Sequence, residues 1–190
     1  MRSDRLPLLL LPALLALATP AAARYDLGTP ATRDEIAGWD IDVLPDGSGL
    51  PPGRGSVKDG GKIFAETCAA CHGAKGEGKP MDRLVGGQGT LATAKPILTV
   101  GSYWPYATTL FDYIRRAMPF SAPKSLTADQ IYAVSAYILY LNGIVGEDAV
   151  MDAKTLPAVQ MPNRNGFISP DPRPDVHEQP CEKDCRPSAQ

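Results

Sequence analysis

Apolar residues recur at helical spacing in three segments of the chain. In residues 57–67, Val57, Gly60 and Phe64 lie three or four positions apart, a spacing that predicts a short helix. Glycine within a helix costs about 1 kcal/mol relative to alanine. Gly60 therefore indicates that another helix passes close by, because a missing side chain lets two backbones touch.

A second helix is predicted over residues 108–117, where Leu110 and Ile114 are four positions apart on one face. Pro119 disfavours helical geometry at the residue that precedes it. We therefore expect this helix to end before Met118.

The third helix has the clearest boundaries. Thr127 and Gln130 have the spacing of a capping box, in which each side chain satisfies the other residue's free amide. The pair Asn142-Gly143 is typical of a helix end. The predicted apolar face contains Ile131, Val134, Ile138 and Leu141. Three helices of this kind predict an all-α fold class.

The regions on both sides of these helices have a different composition. Residues 24–56 begin with a capping-box spacing at Thr32 and Glu35 and then become rich in Pro and Gly, as in an irregular extension. Residues 146–190 are rich in proline, so this tail is either disordered or extended along the domain or a partner. Its scattered apolar residues favour docking. The folded domain is therefore predicted over residues 57–145.

The first 23 residues have the layout of a secretory signal peptide. Arg2 and Arg5 precede a leucine-rich run, and small residues at 21–23 fit an A-x-A cleavage site. The apolar run is interrupted by prolines and is shorter than the ~20 residues that a membrane span needs. We therefore predict cleavage and export, an uncleaved anchor being the alternative.

Charge and cysteine content narrow the function further. The formal net charge is −2, and no Lys/Arg cluster is visible, which argues against nucleic acid as a partner. Export would bring the chain to an oxidising compartment, where spare thiols are usually disulfide-bonded. Cys181 and Cys185 are within disulfide reach if the segment turns. A structural disulfide is our interpretation, and an intermolecular bridge or a redox-active pair is the alternative.

Cys68, Cys71 and His72 form a C-x-x-C-H motif, which is typical of c-type haem attachment. The two thiols would bind the haem vinyl groups, and the histidine would be an axial ligand of the iron. Its Nδ1 should donate to an acceptor that fixes the tautomer, for which the Pro80 carbonyl is a candidate. A thioredoxin-type dithiol and a zinc half-site are alternatives. The first needs a βαβ setting, and the second needs ligands that only the distant tail supplies.

The sixth iron ligand would decide between electron transfer and gas binding. Met118 follows a predicted helix end and precedes the stiffening Pro119, so we predict it as the ligand, with core filling as the alternative. Met81 is too close to the motif to reach the far face of a haem. The other candidates, Met151, Met161 and His177, lie in the tail. Histidine–methionine coordination suits an electron carrier because it raises the reduction potential and blocks exogenous ligands.

Gly60 and Phe64 before the motif, a methionine loop and an aromatic-rich last helix together resemble a class I cytochrome c. In that fold three to five short helices surround a covalently bound haem, and the Gly60 and Tyr137 helices would cross. Three segments resemble the cytochrome subunit of sulfane/sulfite dehydrogenases of the sulfur-oxidising (Sox) system: GWDIDVLPDGSGLPPGRGSV, TVGSYWPYATTLFDYIRRAMPF and TLPAVQMPNRNGF. The full-length subunit of that family has two haem motifs, whereas this chain has one.

The Sox resemblance implies a periplasmic electron-transfer subunit with one haem c and no catalytic activity of its own. Its electrons would come from a molybdenum-cofactor subunit that oxidises sulfite or sulfane sulfur, and would leave to a downstream c-type cytochrome. The lead-in and the tail would serve partner docking. A free diffusible carrier, a subunit of another periplasmic dehydrogenase and a haem gas sensor or peroxidase are the alternatives.

The same resemblance implies roles for four further residues. The segment SYWPY, residues 102–106, would line the haem crevice, and Trp104 or Tyr106 would donate to a propionate. Arg115 or Arg116 would neutralise the charge of that propionate. Ordinary core packing is the alternative for the two aromatic residues. A solvated helix face is the alternative for the arginines.

Overall fold

The structure, a computed structural model, describes residues 28–167. The predicted signal peptide and the pair Cys181 and Cys185 lie outside the described residues, so these interpretations stay predictions. The described residues fall into two compact units, residues 28–40 and residues 41–167. Within the described residues, no helix is long and apolar enough to cross a membrane.

Helix α1 (Arg33–Trp39) belongs to the first unit. The Glu35 backbone amide donates to the Thr32 hydroxyl at 3.2 Å, and the Thr32 amide donates to the Glu35 carboxylate at 2.7 Å. The predicted capping box is therefore confirmed. None of the α1 residues is buried, so the helix depends on this local capping more than on packing.

The second unit contains, within its described residues, four helices and a two-stranded antiparallel ladder. In chain order these are β1 (Arg54–Ser56), α2 (Val57–Thr67), α3 (Ala69–His72), α4 (Ala107–Ala117), α5 (Ala128–Leu141) and β2 (Val150–Asp152). The predicted all-α class is confirmed. The ladder, in which Gly55 pairs with Met151, was not predicted because three-residue strands are too short to show a periodic pattern.

Helix α5 lies at the centre of the packing. Its capping box is confirmed, since the Gln130 amide donates to the Thr127 hydroxyl at 3.3 Å and the Thr127 amide donates to Gln130 Oε1 at 2.8 Å. The predicted apolar face was too narrow. Burial extends to Tyr132, Ala133, Ser135, Ala136 and Leu139. Helices α2 and α4 and both strands contact α5, so it is covered on several sides.

Gly60 is the point at which α2 comes closest to α5. A Cβ built on Gly60 would lie 1.9 Å from the backbone oxygen of Ala133. One turn later, Phe64 is buried and its ring centroid lies 5.3 Å from that of Tyr137. The predicted close approach and the predicted crossing pair are therefore confirmed.

The described part of the proline-rich tail packs on the domain. Its buried side chains join the core formed by α2, α4 and α5, and they are Met151, Leu156, Val159 and Met161. Docking is therefore confirmed for this part of the tail, and the packed core continues beyond residue 145.

Candidate functional site

The C-x-x-C-H motif begins where α2 ends. Cys68 ends α2 and precedes α3, and its carbonyl accepts from the amides of Cys71 at 3.1 Å and His72 at 3.0 Å. The motif is therefore one short helical turn held by α2. Both cysteines are free thiols, Cys68 half-buried and Cys71 exposed.

The environment of the Cys68 thiol opposes its ionisation. Burial raises the pKa of Cys68 from 9.0 to about 11, and the neighbouring Cys71 adds to the rise. The attacking thiol of a redox dithiol instead has a lowered pKa, so Cys68 does not have the character of a nucleophile. No group of three or more His, Cys, Asp or Glu side chains that could hold a metal ion occurs among residues 28–167.

The imidazole of His72 is oriented by a backbone carbonyl. Its Nδ1 lies 2.7 Å from the oxygen of Asp82. Because a carbonyl only accepts, Nδ1 carries the proton and Nε2 keeps the lone pair that a metal needs. The prediction of Pro80 as the acceptor was wrong. The Gly78 amide bonds back to His72 O at 2.8 Å, and the resulting turn brings residue 82 to the ring.

The loop that carries Asp82 is fixed two residues later. The Leu84 amide donates to Gly76 O at 2.9 Å. Asn142, which ends α5, donates from Nδ2 to Leu84 O at 3.2 Å and accepts from the Gly86 amide at 3.0 Å. The sequence identified Asn142 only as a helix end, because contacts between residues more than 50 positions apart leave no local pattern.

Met118 lies directly at the end of α4. The helix begins at Ala107, one residue earlier than predicted, and ends at Ala117 as predicted. The Met118 amide donates to Ile114 O at 3.1 Å, and its half-buried side chain packs against the core. This position suits either an axial ligand or a core side chain, so the ligand role stays a prediction.

A buried polar turn precedes the two predicted aromatic site residues. The Ser102 hydroxyl donates to Ile97 O at 2.6 Å and accepts from the Thr99 amide at 2.9 Å. Trp104 follows, half-buried, with its ring edge-on to Tyr113 at 5.7 Å between centroids. These bonds fix the backbone that presents Trp104.

The docked tail contacts the same segment. Asn163 Nδ2 donates to the Tyr103 carbonyl at 2.6 Å. The guanidinium carbon of Arg164 lies 5.2 Å from the ring centroid of Tyr106, within cation–π range. Phe167 packs edge-on against Tyr103 at 5.1 Å. The tail therefore clamps the segment that contains Trp104 and Tyr106, a contact that the sequence did not indicate.

The two arginines predicted at a haem propionate bind protein groups. Arg115 Nη1 donates to the Ile41 carbonyl at 3.2 Å. Arg116 Nε donates to Asp112 Oδ2 at 2.9 Å, and its guanidinium also pairs with Asp42. The hydrogen bonds to Asp112 raise the pKa of Arg116. Both side chains thus tie α4 to residues 41–42, and their propionate role stays a prediction.

The comparisons with known proteins agree with this site. Residues 55–138 match the family described as "Cytochrome C oxidase, cbb3-type, subunit III". A chain in the crystal structure of the sulfane dehydrogenase SoxCD from Paracoccus pantotrophus is 42% identical. The superposition covers 88% of this chain and 85% of that chain, with a TM-score of 0.74. The chain belongs to the class I c-type cytochromes.

A further relative of the cytochrome is longer. The thiosulfate dehydrogenase of Psychrobacter arcticus is 31% identical over 106 residues, which are 52% of the cytochrome and 31% of that protein. The cytochrome therefore spans less than a third of the curated relative that it matches.

As a c-type cytochrome, the chain takes one covalently bound haem c, and the motif fits this group. Cys68 and Cys71 are free thiols on one helical turn. The bond from His72 Nδ1 to Asp82 O leaves the lone pair of Nε2 available to an iron. The two thiols and the imidazole of this motif are the groups that a covalently bound haem needs.

Proposed function

We propose that this cytochrome is the electron-transfer subunit of a periplasmic, molybdenum-dependent dehydrogenase that oxidises sulfite or sulfane sulfur. The observation that carries the proposal is the extent of the match to a chain of SoxCD, 42% identity over 88% of the cytochrome. The thiosulfate dehydrogenase relative also acts on a sulfur compound, by its name. Export by the predicted signal peptide would place the cytochrome in the periplasm.

In this proposal Cys68 and Cys71 would hold the haem by thioether bonds, and His72 Nε2 and Met118 would coordinate its iron. When bound, the haem supplies a group that takes up and gives off one electron at a time. The protein keeps His72 in one tautomer through Asp82 and places Met118 at the end of α4, with its amide bonded to Ile114 O. Two protein ligands leave no open position, which argues against a gas sensor or peroxidase.

The residues around the ligands serve the same task in this proposal. Trp104 and Tyr106 would line the haem crevice. Their half-buried positions and the contacts of the tail with residues 103 and 106 support this role. Arg115 has N–H donors besides the one that binds the Ile41 carbonyl, and these would offset the charge of a propionate.

Oxidation takes place on the partner subunit, and the cytochrome passes the electrons singly to a downstream c-type cytochrome. We propose that α1 docks on the partner. It exposes Ile36 by 52% and Trp39 by 83%, and Asp34 and Glu35 make its first turn acidic. Large exposed apolar side chains of this kind are typical of interface centres.

The proposal is tested by producing the cytochrome with haem-maturation proteins, with and without a molybdenum dehydrogenase subunit from the same source. We expect co-elution of the two chains in gel filtration. Sulfite or a sulfane donor should reduce the cytochrome only when the dehydrogenase is present. Co-elution without reduction by either donor would contradict the sulfur substrate, and a cytochrome that never co-elutes would favour a free diffusible carrier.

A further inference from the structure

We propose that Asn142 is a positioning residue for the axial histidine, acting on His72 through the loop that carries Asp82. The inference rests on the proposed function in one respect, that His72 ligates the iron. It assigns a role in the haem site to the side chain of Asn142, which lies at the C-terminal end of α5.

Asn142 is itself rigidly held. Its backbone amide donates to Ile138 O at 3.2 Å, and its side-chain Nδ2 donates to the same oxygen at 2.9 Å. These bonds fix the side chain to the C-terminus of α5, the most buried helix of the described chain. A Cβ built on Gly101 would lie 2.1 Å from Asn142 Oδ1, so the amide also fits closely against that backbone.

The side-chain amide of Asn142 also bonds to two residues of the loop that carries Asp82. Nδ2 donates to Leu84 O at 3.2 Å, and Oδ1 accepts from the Gly86 amide at 3.0 Å. One side chain thus satisfies an acceptor and a donor two residues apart. Aspartate could not donate, and serine is too short to reach, so the contact depends on an asparagine amide.

The bond from Asn142 to Leu84 affects His72 because few residues separate Leu84 from the carbonyl that contacts the imidazole. Leu84 is two residues from Asp82, whose carbonyl lies 2.7 Å from His72 Nδ1. Thr99 holds the far side of the loop by donating to Gly86 O at 2.5 Å. Without the Asn142 side chain, the loop would keep the Thr99 bond, the Leu84 amide bond to Gly76 O and the Gln88 bond to the backbone oxygen of residue 142. It would lose the two bonds at Leu84 O and the Gly86 amide, so Asp82 would move more freely against the imidazole.

The consequence for the haem follows from the hydrogen bond at Nδ1. Donation from Nδ1–H makes Nε2 a stronger ligand, and this favours the ferric iron. A weaker bond from His72 Nδ1 to Asp82 O would therefore stabilise the ferric state less. Replacement of Asn142 should therefore raise the reduction potential.

The experiment compares three purified holo-cytochromes: wild type, Asn142→Ala and Thr127→Ala. Thr127→Ala is the matched control, because it removes the cap at the other end of α5 and has no bond to the Asp82 loop. At a fixed ambient potential we expect the reduced-to-oxidised ratio to rise about threefold in Asn142→Ala, which is about 28 mV for a one-electron couple. The ratio should be unchanged in Thr127→Ala.

A second readout follows the His72 Nδ1 proton by NMR of the ferrous protein. Its exchange with solvent should be slow in wild type and Thr127→Ala, and at least about tenfold faster in Asn142→Ala, since exchange follows local opening. Asn142→Ser, which keeps a hydroxyl for Ile138 O, takes the place of Asn142→Ala if the latter does not accumulate. An unchanged ratio with slow exchange in the variant would overturn the inference, as would an equal shift in Thr127→Ala.

The same spectra distinguish a failure of the proposed His72 ligation from a failure of the proposed role of Asn142. If the ferrous wild type lacks ring resonances of an iron-bound His72, the proposed haem ligation itself is wrong, whatever the variants do. If those resonances are present and both variants match the wild type, only the role of Asn142 is refuted.

Discussion

Gly60 lies so close to Ala133 that a Cβ on the glycine would stand 1.9 Å from the Ala133 carbonyl oxygen and 2.8 Å from the Cβ of Tyr137. Helix α2, which carries Gly60, leads directly into Cys68. The depth at which α2 crosses α5 therefore sets the position of the haem-attachment turn relative to the core.

Gly60→Ala should destabilise the protein by about 1–3 kcal/mol, the usual cost of forcing extra volume into a packed core. Thermal or denaturant unfolding of the holo-protein measures this effect. Gly61→Ala is the matched control in the same helix, because its new Cβ would meet only the Tyr137 ring, at 3.2 Å. A Gly60→Ala protein as stable as Gly61→Ala would contradict the tight crossing.

Tyr132 should make stability fall at alkaline pH. Its hydroxyl donates to Pro51 O at 2.9 Å, and burial, followed by the charge of Asp152, raises its pKa from 10.0 to about 12. Below pH 10 the phenol is neutral in both states. Between about pH 10 and 12 the unfolded chain loses the proton while the folded chain retains it, so unfolding becomes more favourable.

Tyr132→Phe removes this ionisation, so the free energy of unfolding should decline less steeply between pH 10 and 12 than in the wild type. At neutral pH the variant should be less stable by about 1 kcal/mol, because the hydrogen bond to Pro51 is lost. Tyr113→Phe, at a position 49% exposed, serves as the control and should keep the wild-type slope. Equal slopes in all three proteins would refute the prediction.

Met118→Ala should abolish the long-wavelength charge-transfer band of a methionine-ligated ferric haem and lower the reduction potential, because a methionine ligand raises it. Absorption spectroscopy of the oxidised protein and a redox titration measure the two effects. Met81→Ala, which removes a thioether that is 53% exposed, should leave both unchanged. A band that survives in Met118→Ala would assign Met118 to core packing instead.

Trp39→Ala should weaken binding to the dehydrogenase subunit by about tenfold or more, since a truncated interface tryptophan commonly costs more than 1.4 kcal/mol. Calorimetric titration measures the affinity. The melting temperatures of the wild type and the variant, measured alongside, separate a loss of binding from a loss of stability. A comparison of Ile36→Ala with Leu98→Ala, at 52% and 53% exposure, tests whether the effect is local to α1. Equal losses in these two would point to nonspecific apolar contact.

The elements that could be predicted from the sequence are those stabilised locally. The capping boxes at Thr32 and Thr127 are encoded within four residues, and both form. Pro119 acts on the adjacent residue, and α4 ends as expected. Gly60 also allowed a contact between distant residues to be predicted. A glycine within a helix is destabilising, so its presence indicates that another part of the chain packs closely against it.

The parts that could not be predicted depend on contacts between distant residues. The choice of Asp82 over Pro80 as the His72 acceptor follows from how the loop turns back, not from any motif. Burial on several sides of α5 reflects the strands and helices that surround it. The grip of Asn142 on Leu84 and Gly86 spans more than 50 residues, and no periodicity marks it.

The β1–β2 ladder joins the segment that precedes α2 to the segment that follows α5. It pairs Arg54 with Asp152, and both strands contact α5. A change that separated the two strands would therefore act at once on the start of α2, which leads to Cys68, and on the tail that contacts Tyr106. The two short strands thus couple two parts of the chain that are about a hundred residues apart in sequence.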